Sequence, residues 1–309
     1  MGSDRVRRRG LRLELPTIAV ALVIYGGWIA TTLFWRVLPW PLLALSGGWF
    51  VAWQSSLQHE VIHGHPSRSR RVNDALGWPP LSLWLPYLIY RRSHLRHHND
   101  ALLTDPIEDP ESAYLTRQRY ERIGPVGRLI VRFDTTLLGR LLIGPAIMIG
   151  SFLVSEALAL GRGNRSHLRI WAWHLIGVVA VLAWTGLVCG MPISIYLLAF
   201  VYPGAAFARL RSYAEHRWSP APAERTAIVE DGGPFALLFL NNNLHVLHHD
   251  RPTVPWYALP ALYRRERDAL VEQNGGLVYR GYADVAQRFL LKPHDRPVHP
   301  AGASHASRG

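Results

Sequence analysis

Apolar runs long enough to cross a bilayer alternate in this chain with segments rich in arginine and histidine. Leu15 to Trp35 carries no charged residue and matches the ~20 residues that a helix needs to traverse the hydrocarbon core. Val37 to Gln58 follows after Arg36, with Pro39 and Pro41 suited to a tight turn, and predicts a second span. Three more apolar stretches lie downstream: Leu141 to Leu160, Ile170 to Gly190 and Met191 to Leu210. An even number of these must cross if the histidine-rich segments between them are to share one side. Gly161 to Arg169 carries Arg162, Arg165 and Arg169, which favours the cytoplasmic side. Ile170 to Leu210 is therefore predicted as the second spanning hairpin. Leu141 to Leu160, broken by Pro145 and carrying Glu156, is predicted to return without crossing.

The predicted fold is an all-α integral membrane protein with four transmembrane helices, at about residues 15–35, 37–58, 170–190 and 191–210. A basic segment (1–14) precedes a membrane domain (15–290), and a Pro-, Gly- and Ser-containing tail (291–309) is expected to be disordered. Arg5, Arg7, Arg8, Arg9 and Arg12 come before the first span, and Arg36 is the single positive residue in either predicted external turn. Both termini are thus expected in the cytoplasm, with the chain in the inner (cytoplasmic) membrane. The basic start also suits a secretory signal, but the apolar run exceeds the usual length and no small-residue cleavage site follows it. Ala75 to Tyr90, with Trp78, Pro79, Pro80, Trp84 and Pro86, is too short and proline-broken to span and is expected to lie at the interface.

Composition agrees with a membrane chain. It holds 49% hydrophobic residues, 12 Trp and 18% charged residues in 309, yet its mean hydropathy is near zero because charged segments dilute the spans. The net charge of +12 invites a nucleic-acid partner, but the basic residues are almost all arginine, spread along the cytoplasmic segments, and fit an anionic leaflet instead. A lone Cys189 excludes an internal disulfide and any cysteine-based metal site.

The chemistry sits in three histidine clusters: His59-Glu60-Val61-Ile62-His63, His94-Leu95-Arg96-His97-His98 and His245-Val246-Leu247-His248-His249. With 15 His in this length, two HxxHH motifs arise by accident with a probability of roughly 0.0006, so chance is not a competitor. Positions i, i+3 and i+4 fall within an arc of about 100° on a helix, so three imidazoles can face the same small volume. His59 and His63 form a two-toothed clamp of the same kind. Eight imidazoles exceed a tetrahedral zinc site, and nitrogen-rich sites of high coordination suit iron, which points to two metal ions. His65 can join only if the helix ends near Gly64, which Gly64 and Pro66 permit. His294, His299 and His305 fall in the tail, His167 on an arginine-rich loop, and His174 reads as an interfacial side chain. Trp28, Trp35, Trp40, Trp49 and Trp53 suit either an aromatic belt or the lining of a lipid tunnel.

The three clusters, interleaved with paired spans over residues 15–262, resemble the membrane fatty acid desaturase superfamily of desaturases, hydroxylases and carotenoid ketolases. The resemblance implies a four-span fold with a cytosolic helical cap and a di-iron centre ligated almost wholly by histidine. It also implies dioxygen as co-substrate and two externally supplied electrons for attack on an unactivated C–H bond. A further family histidine maps to His216, which gives nine ligands: His59, His63, His94, His97, His98, His216, His245, His248 and His249. Asp105 and Asp109, and Asn241, Asn242 and Asn243, are placed to orient imidazoles, although the same residues suit plain turns.

Fatty acyl desaturation is the first reading, with acyl-lipid hydroxylation or carotenoid oxidation as the runner-up, and a fatty acyl chain or isoprenoid as the lipid partner. No GxGxxG motif and no cysteine cluster is present, and little length follows residue 262 for a fused haem domain, so a separate ferredoxin- or cytochrome-type donor is expected. One rival takes His59-Glu60-Val61-Ile62-His63 as the helix of a zinc metalloprotease, with Glu60 as base. It leaves both HxxHH motifs idle. A metal transporter or store is a second rival, but it would place histidines along the spans rather than beside them.

Overall fold

The computed structural model describes residues 13–300, so most of the basic N-terminal segment, and His305, lie outside the described residues. The chain opens with an antiparallel helical hairpin: α1 (Leu15–Leu33) and α2 (Trp40–Ile62). Prolines occupy the first turn of each, where the missing N–H is not needed and the fixed φ suits a helix. Two short helices follow, α3 (Arg70–Gly77) and α4 (Tyr87–His97). Small helices at Arg117–Arg122, Pro125–Asp134 and Leu137–Leu142 then lead to α5 (Gly144–Gly161), α6 (Arg165–Val188) and α7 (Ile193–Glu215). Then come β1 (Ile228–Asp231), α8 (His245–Asp250), α9 (Leu259–Gln273) and β2 (Val278–Gly281), the two strands pairing in parallel, before a short helix at Tyr282–Phe289.

Among the described residues, four helices are long and apolar enough to cross a membrane: α1, α5, α6 and α7. Leu22, Val23, Leu175, Ile176, Val179 and Leu198 are exposed on them, as lipid-facing side chains are in a bilayer protein. Two features differ from the sequence reading. Pro145 lies in the first turn of α5 and starts that helix rather than breaking it. Conversely α2, though 23 residues long, is more polar than the other four because Gln54, Gln58, His59 and Glu60 fill its second half.

Hydrogen bonds at both ends of the bundle fix how these helices stand. Trp35 Nε1 donates to the Cys189 carbonyl at 3.0 Å and Arg36 to that of Gly190 at 3.1 Å, so the α1–α2 and α6–α7 turns meet at one end. At the other end the amide of Glu14 donates to Pro66 O at 2.9 Å, which brings the start of α1 to the end of α2. The histidine-bearing ends of α2 and α7 both lie at this second end.

The interfacial segment expected at Ala75 to Tyr90 instead threads between α1, α2, α6 and α7, with Leu81 buried. Backbone without helical partners survives at this depth only if protein groups satisfy it. Gln58 donates to Gly77 O at 2.7 Å, Gln54 to Pro79 O at 2.9 Å, Tyr196 to Leu81 O at 2.7 Å and His174 to Leu83 O at 2.8 Å. His174 is accordingly a buried donor rather than an interfacial side chain. His167 also departs from expectation: it occupies the first turn of α6 and lies 2.8 Å from the buried Glu156.

The tail departs as well. Residues 291–300 dock on the body through bridges Thr136↔Pro293 and Leu115↔Val298, while His294 accepts from or donates to Tyr279 at 2.7 Å and His299 is buried beside Tyr114 and Trp218. His294 packs against Tyr213 and Phe289, and His299 against Tyr114 and Trp218, which supplies the burial that Pro, Gly and Ser alone would not. Trp28 and Trp53 are buried, whereas Trp40 is exposed, so the tryptophans do not form one belt.

Glycines let α2 and α7 cross closely. A Cβ at Gly48 would meet Pro203 Cβ at 2.5 Å, and one at Gly204 would meet Val51 Cγ1 at 2.6 Å. This crossing sets the end of α2 opposite the end of α7. Gly48→Leu is expected to lose about 1–3 kcal/mol of stability through overpacking, read as a lower thermal midpoint in detergent. An unchanged midpoint would show that the crossing has slack.

Candidate metal centre

Each histidine cluster sits where a helix ends. His59 lies in the last turn of α2 and His63 caps it; His94 and His97 close α4 with His98 at its C-cap; His245, His248 and His249 make up half of α8. His216 follows α7 directly, in extended backbone held against Thr226. Six of the nine imidazoles are buried, with His63, His98 and His216 half-buried.

The rings converge in two adjoining groups. His59, His63, His94, His98 and His248 form one, and His97, His216, His245 and His249 the other, the ligand atoms within each lying within 4.8 Å of one another. Neither HxxHH motif therefore addresses a single volume, as the sequence reading had it. Adjacent residues diverge by about 100° round a helix, so i and i+4 share one group while i+3 turns to the next. His94 and His98 enter the first group and His97 the second, whereas His245 and His249 enter the second and His248 the first. The groups touch, with His98 and His249 stacked at 4.4 Å between centroids.

The nitrogen atoms face one another in a way that hydrogen bonding alone does not explain. Nε2 of His94 lies 2.9 Å from that of His63 and 3.1 Å from that of His98, and Nε2 of His216 lies 3.0 Å from those of both His97 and His245. His59 Nε2 and His249 Nε2 are buried without any hydrogen-bond partner. Five Nδ1 atoms, by contrast, point outward to an acceptor: His97 to Asp109 at 2.8 Å, His249 to Asp100 at 2.9 Å, His94 to Glu111 at 3.0 Å, His245 to Asn242 at 3.2 Å and His216 to Arg225 O at 3.3 Å. A proton fixed on Nδ1 leaves the Nε2 lone pair free, which is how metal-binding imidazoles are held. This donor set fits two cations.

Electrostatics act in the same sense. Burial, reinforced by the neighbouring imidazoles, holds His63, His216, His245, His248 and His249 below the ordinary imidazole value and His98 down at about 2. They are neutral, the form that binds metal. His97 is the exception: burial lowers it, but Glu111 and Asp109 outweigh burial and raise it to about 9. Burial likewise raises Glu111, yet His97 and His94 hold it well below the carboxylate range.

Of the residues singled out beside the clusters, Asp109 and Asn242 hold imidazoles. Asp105 instead caps the amides of Ile107 and Glu108, Asn241 donates to Trp256 O and Asn243 to Val229 O, so these three shape backbone. His65 joins neither group: Gly64, at φ +101°, turns the chain so that His65 Nδ1 pairs with Glu14 at 2.8 Å. Sequence reasoning missed Glu111, Asp100, Glu215 and Arg211. The last two pair at 3.2 Å on α7, and Glu215 also accepts from Asn242 at 2.7 Å. Nothing in their spacing marks them, since they reach the site from a loop, a short turn and a different helix. Glu60, the base of the protease rival, accepts from the Trp256 amide at 2.9 Å and belongs to neither histidine group.

The chain matches the fatty acid desaturase family over residues 33–281. It belongs to that family. An acyl-lipid (9+3)-(E)-desaturase of Dimorphotheca sinuata is 27% identical over 284 residues, covering 81% of this chain and 73% of that protein. A zeaxanthin 4-ketolase of Chlamydomonas reinhardtii is 26% identical over 280 residues, covering 84% and 55% respectively. A probable fatty acid desaturase of Sorghum bicolor is 27% identical over 262 residues, covering 77% and 66%. This desaturase-family chain is an oxidoreductase with an all-α, integral membrane fold.

Proposed function

We propose that this desaturase-family protein oxidises an unactivated C–H bond of a membrane lipid, and that the reaction is fatty acyl desaturation. In this reading His59, His63, His94, His98 and His248 hold one iron, and His97, His216, His245 and His249 hold a second. The observation that carries it is the convergence of Nε2 atoms in two adjoining groups while Nδ1 atoms are anchored outside. Bound iron, with dioxygen and two electrons, supplies the oxidising power; the protein's task is to hold the metals, place one C–H bond and exclude competing reactions. Asp109, Glu111, Asp100 and Asn242 fix the tautomer and direction of the rings they touch. Glu215, bridged to Arg211 and Asn242, keeps a buried carboxylate paired beside His245 at 3.5 Å.

The arrangement of helix ends supports four crossings by α1, α2, α6 and α7, with α5 returning to the side it came from. Arg162, Arg165 and Arg169 at the histidine end, against Arg36 at the other, support a cytoplasmic metal centre. Electrons then come from a separate ferredoxin- or cytochrome-type donor on that face. Turnover of the purified protein with NADH and oxygen alone would refute this.

Lipid and pigment profiling of cells expressing the chain, with His97→Ala as control, tests the reaction. A new acyl double bond that disappears in the variant is the expected result. A new keto or hydroxyl group on a carotenoid, the reading favoured by similarity to a zeaxanthin 4-ketolase, would replace desaturation by oxidation of a carotenoid ring. No product from iron-loaded protein supplied with reduced donor would refute both.

A further inference from the structure

The helix Pro125–Asp134 buries none of its residues, yet its sequence is amphipathic. Val126, Leu129, Ile130 and Phe133 recur at i, i+3, i+4 and i+7, so they share an arc of about 100° on one face. Among the described residues that face is left open: Val126 is 70% exposed, Leu129 69% and Ile130 43%, with Phe133 half-buried. A second apolar pair comes beside it. The amide of Leu138, just beyond the helix, donates to the carbonyl of Leu290 at 3.0 Å, and Leu290 and Leu291 are exposed as well.

The level at which this patch stands is fixed by α7. Asp134, the last residue of the helix, lies 3.7 Å from Arg209, which precedes the end of α7 by about 9 Å along its axis. The Tyr202 hydroxyl, roughly 10 Å further back on the same helix, donates to Leu142 O. The chain from Asp134 to Leu142 therefore descends beside α7, from the end that His216 follows into the apolar layer. Leu142 leads directly into α5, where Leu153 and Val154 are exposed on the lipid-facing side. The open stripe thus borders the surface that lipid already covers, and is continuous with it.

Positive charge surrounds the stripe. Arg117, Arg119, Arg122 and Arg132 are exposed and, among the described residues, enter no ion pair. Arg128 is occupied by the carbonyls of Glu121 at 2.9 Å and Ile123 at 3.0 Å, which fixes the bend between the two short helices. Asp134 is balanced by Arg140 and Arg209. We infer that Pro125–Asp134, with Leu290 and Leu291, docks on anionic lipid in the leaflet at the histidine end of the bundle. The stripe enters the upper acyl layer, and the unpaired arginines meet the phosphates, as in helices that lie in the plane of an anionic membrane surface. The contact depends on the membrane fold alone and stands whether or not the histidine groups hold iron.

The full-length protein, with the buried Cys189 changed to alanine, is spin-labelled at Leu129→Cys or at Arg128→Cys and placed in lipid nanodiscs containing phosphatidylglycerol. Paramagnetic resonance then compares collisions with oxygen, which dissolves in lipid, and with a nickel chelate, which stays in water. The label at 129 is expected to favour oxygen and the label at 128 the chelate. Both labels favouring the chelate would overturn the docking. A label at 129 shielded from both reagents would mean that protein, a second copy or a soluble partner, covers the stripe, and would overturn it equally. Hydrogen exchange of the unmodified chain tests the charge. Amides of residues 126–133 are expected to exchange about tenfold more slowly in discs with phosphatidylglycerol than in discs of phosphatidylcholine alone, and high salt should remove the difference. Equal exchange in the two kinds of disc would overturn the assignment to anionic lipid.

Discussion

His216→Ala is expected to halve the iron of the purified protein, from two ions per chain towards one, and to bring activity to background. The residue belongs to one group alone, where it joins His97, His245 and His249. Removing it leaves three imidazoles on that side and all five on the other. His63→Ala is the mirror experiment, since His63 belongs only to the five-membered group. In the proposed di-iron reading the two ions act together, so each variant is expected to be inactive while keeping one iron. The sharper comparison lies within one motif. His97 and His98 are neighbours in sequence, yet they serve different groups, so His97→Ala and His98→Ala should deplete different irons. Mössbauer spectra of the ⁵⁷Fe-loaded variants read this directly. Identical residual spectra would mean that each HxxHH motif feeds one ion, and the division into five and four would be wrong.

That division was only half legible in the sequence. Spacing announces that i, i+3 and i+4 share a helix face, and the three clusters and His216 do come together. What spacing does not carry is the roll of each helix about its axis, which decides whether i+3 turns with its partners or towards a second ion. Here α4 and α8 are rolled so that each splits, with α4 lying against α2 and α6, and α8 against α9 and β1. Glu111 and Asp100 illustrate a second limit. They contact His94 and His249 from segments whose path depends on where the chain folds back, so no local pattern marks them. Buried polar side chains in the apolar helices were the more readable hint. Gln54, Gln58 and His174 look out of place in spanning segments, and each caps a carbonyl of the segment threaded among them.

Asp109→Asn is expected to cost 10- to 100-fold in iron retention or in kcat/KM, while Asp105→Asn leaves both nearly unchanged. In sequence the two aspartates look alike, each beside a proline soon after the second cluster. Their surroundings differ. Asp109 is 5% exposed, and its oxygens accept from His97 Nδ1 at 2.8 Å, from the Glu111 amide at 2.9 Å and from the Thr104 amide at 2.8 Å. All three partners are donors, so an amide NH₂ in place of one oxygen must face a donor whichever way it flips. The buried donor left unpaired costs about 1–3 kcal/mol, and if that donor is His97 its ring loses the bond that aims Nε2 at His216. Asp105 accepts from the amides of its own turn and from no imidazole, and asparagine can accept from both amides through its remaining oxygen. Retention of iron against a chelator, measured beside kcat/KM with reduced donor, separates the two outcomes. Equal damage from both substitutions would mean that the loop as a whole, rather than the bond to His97, supports the metal centre.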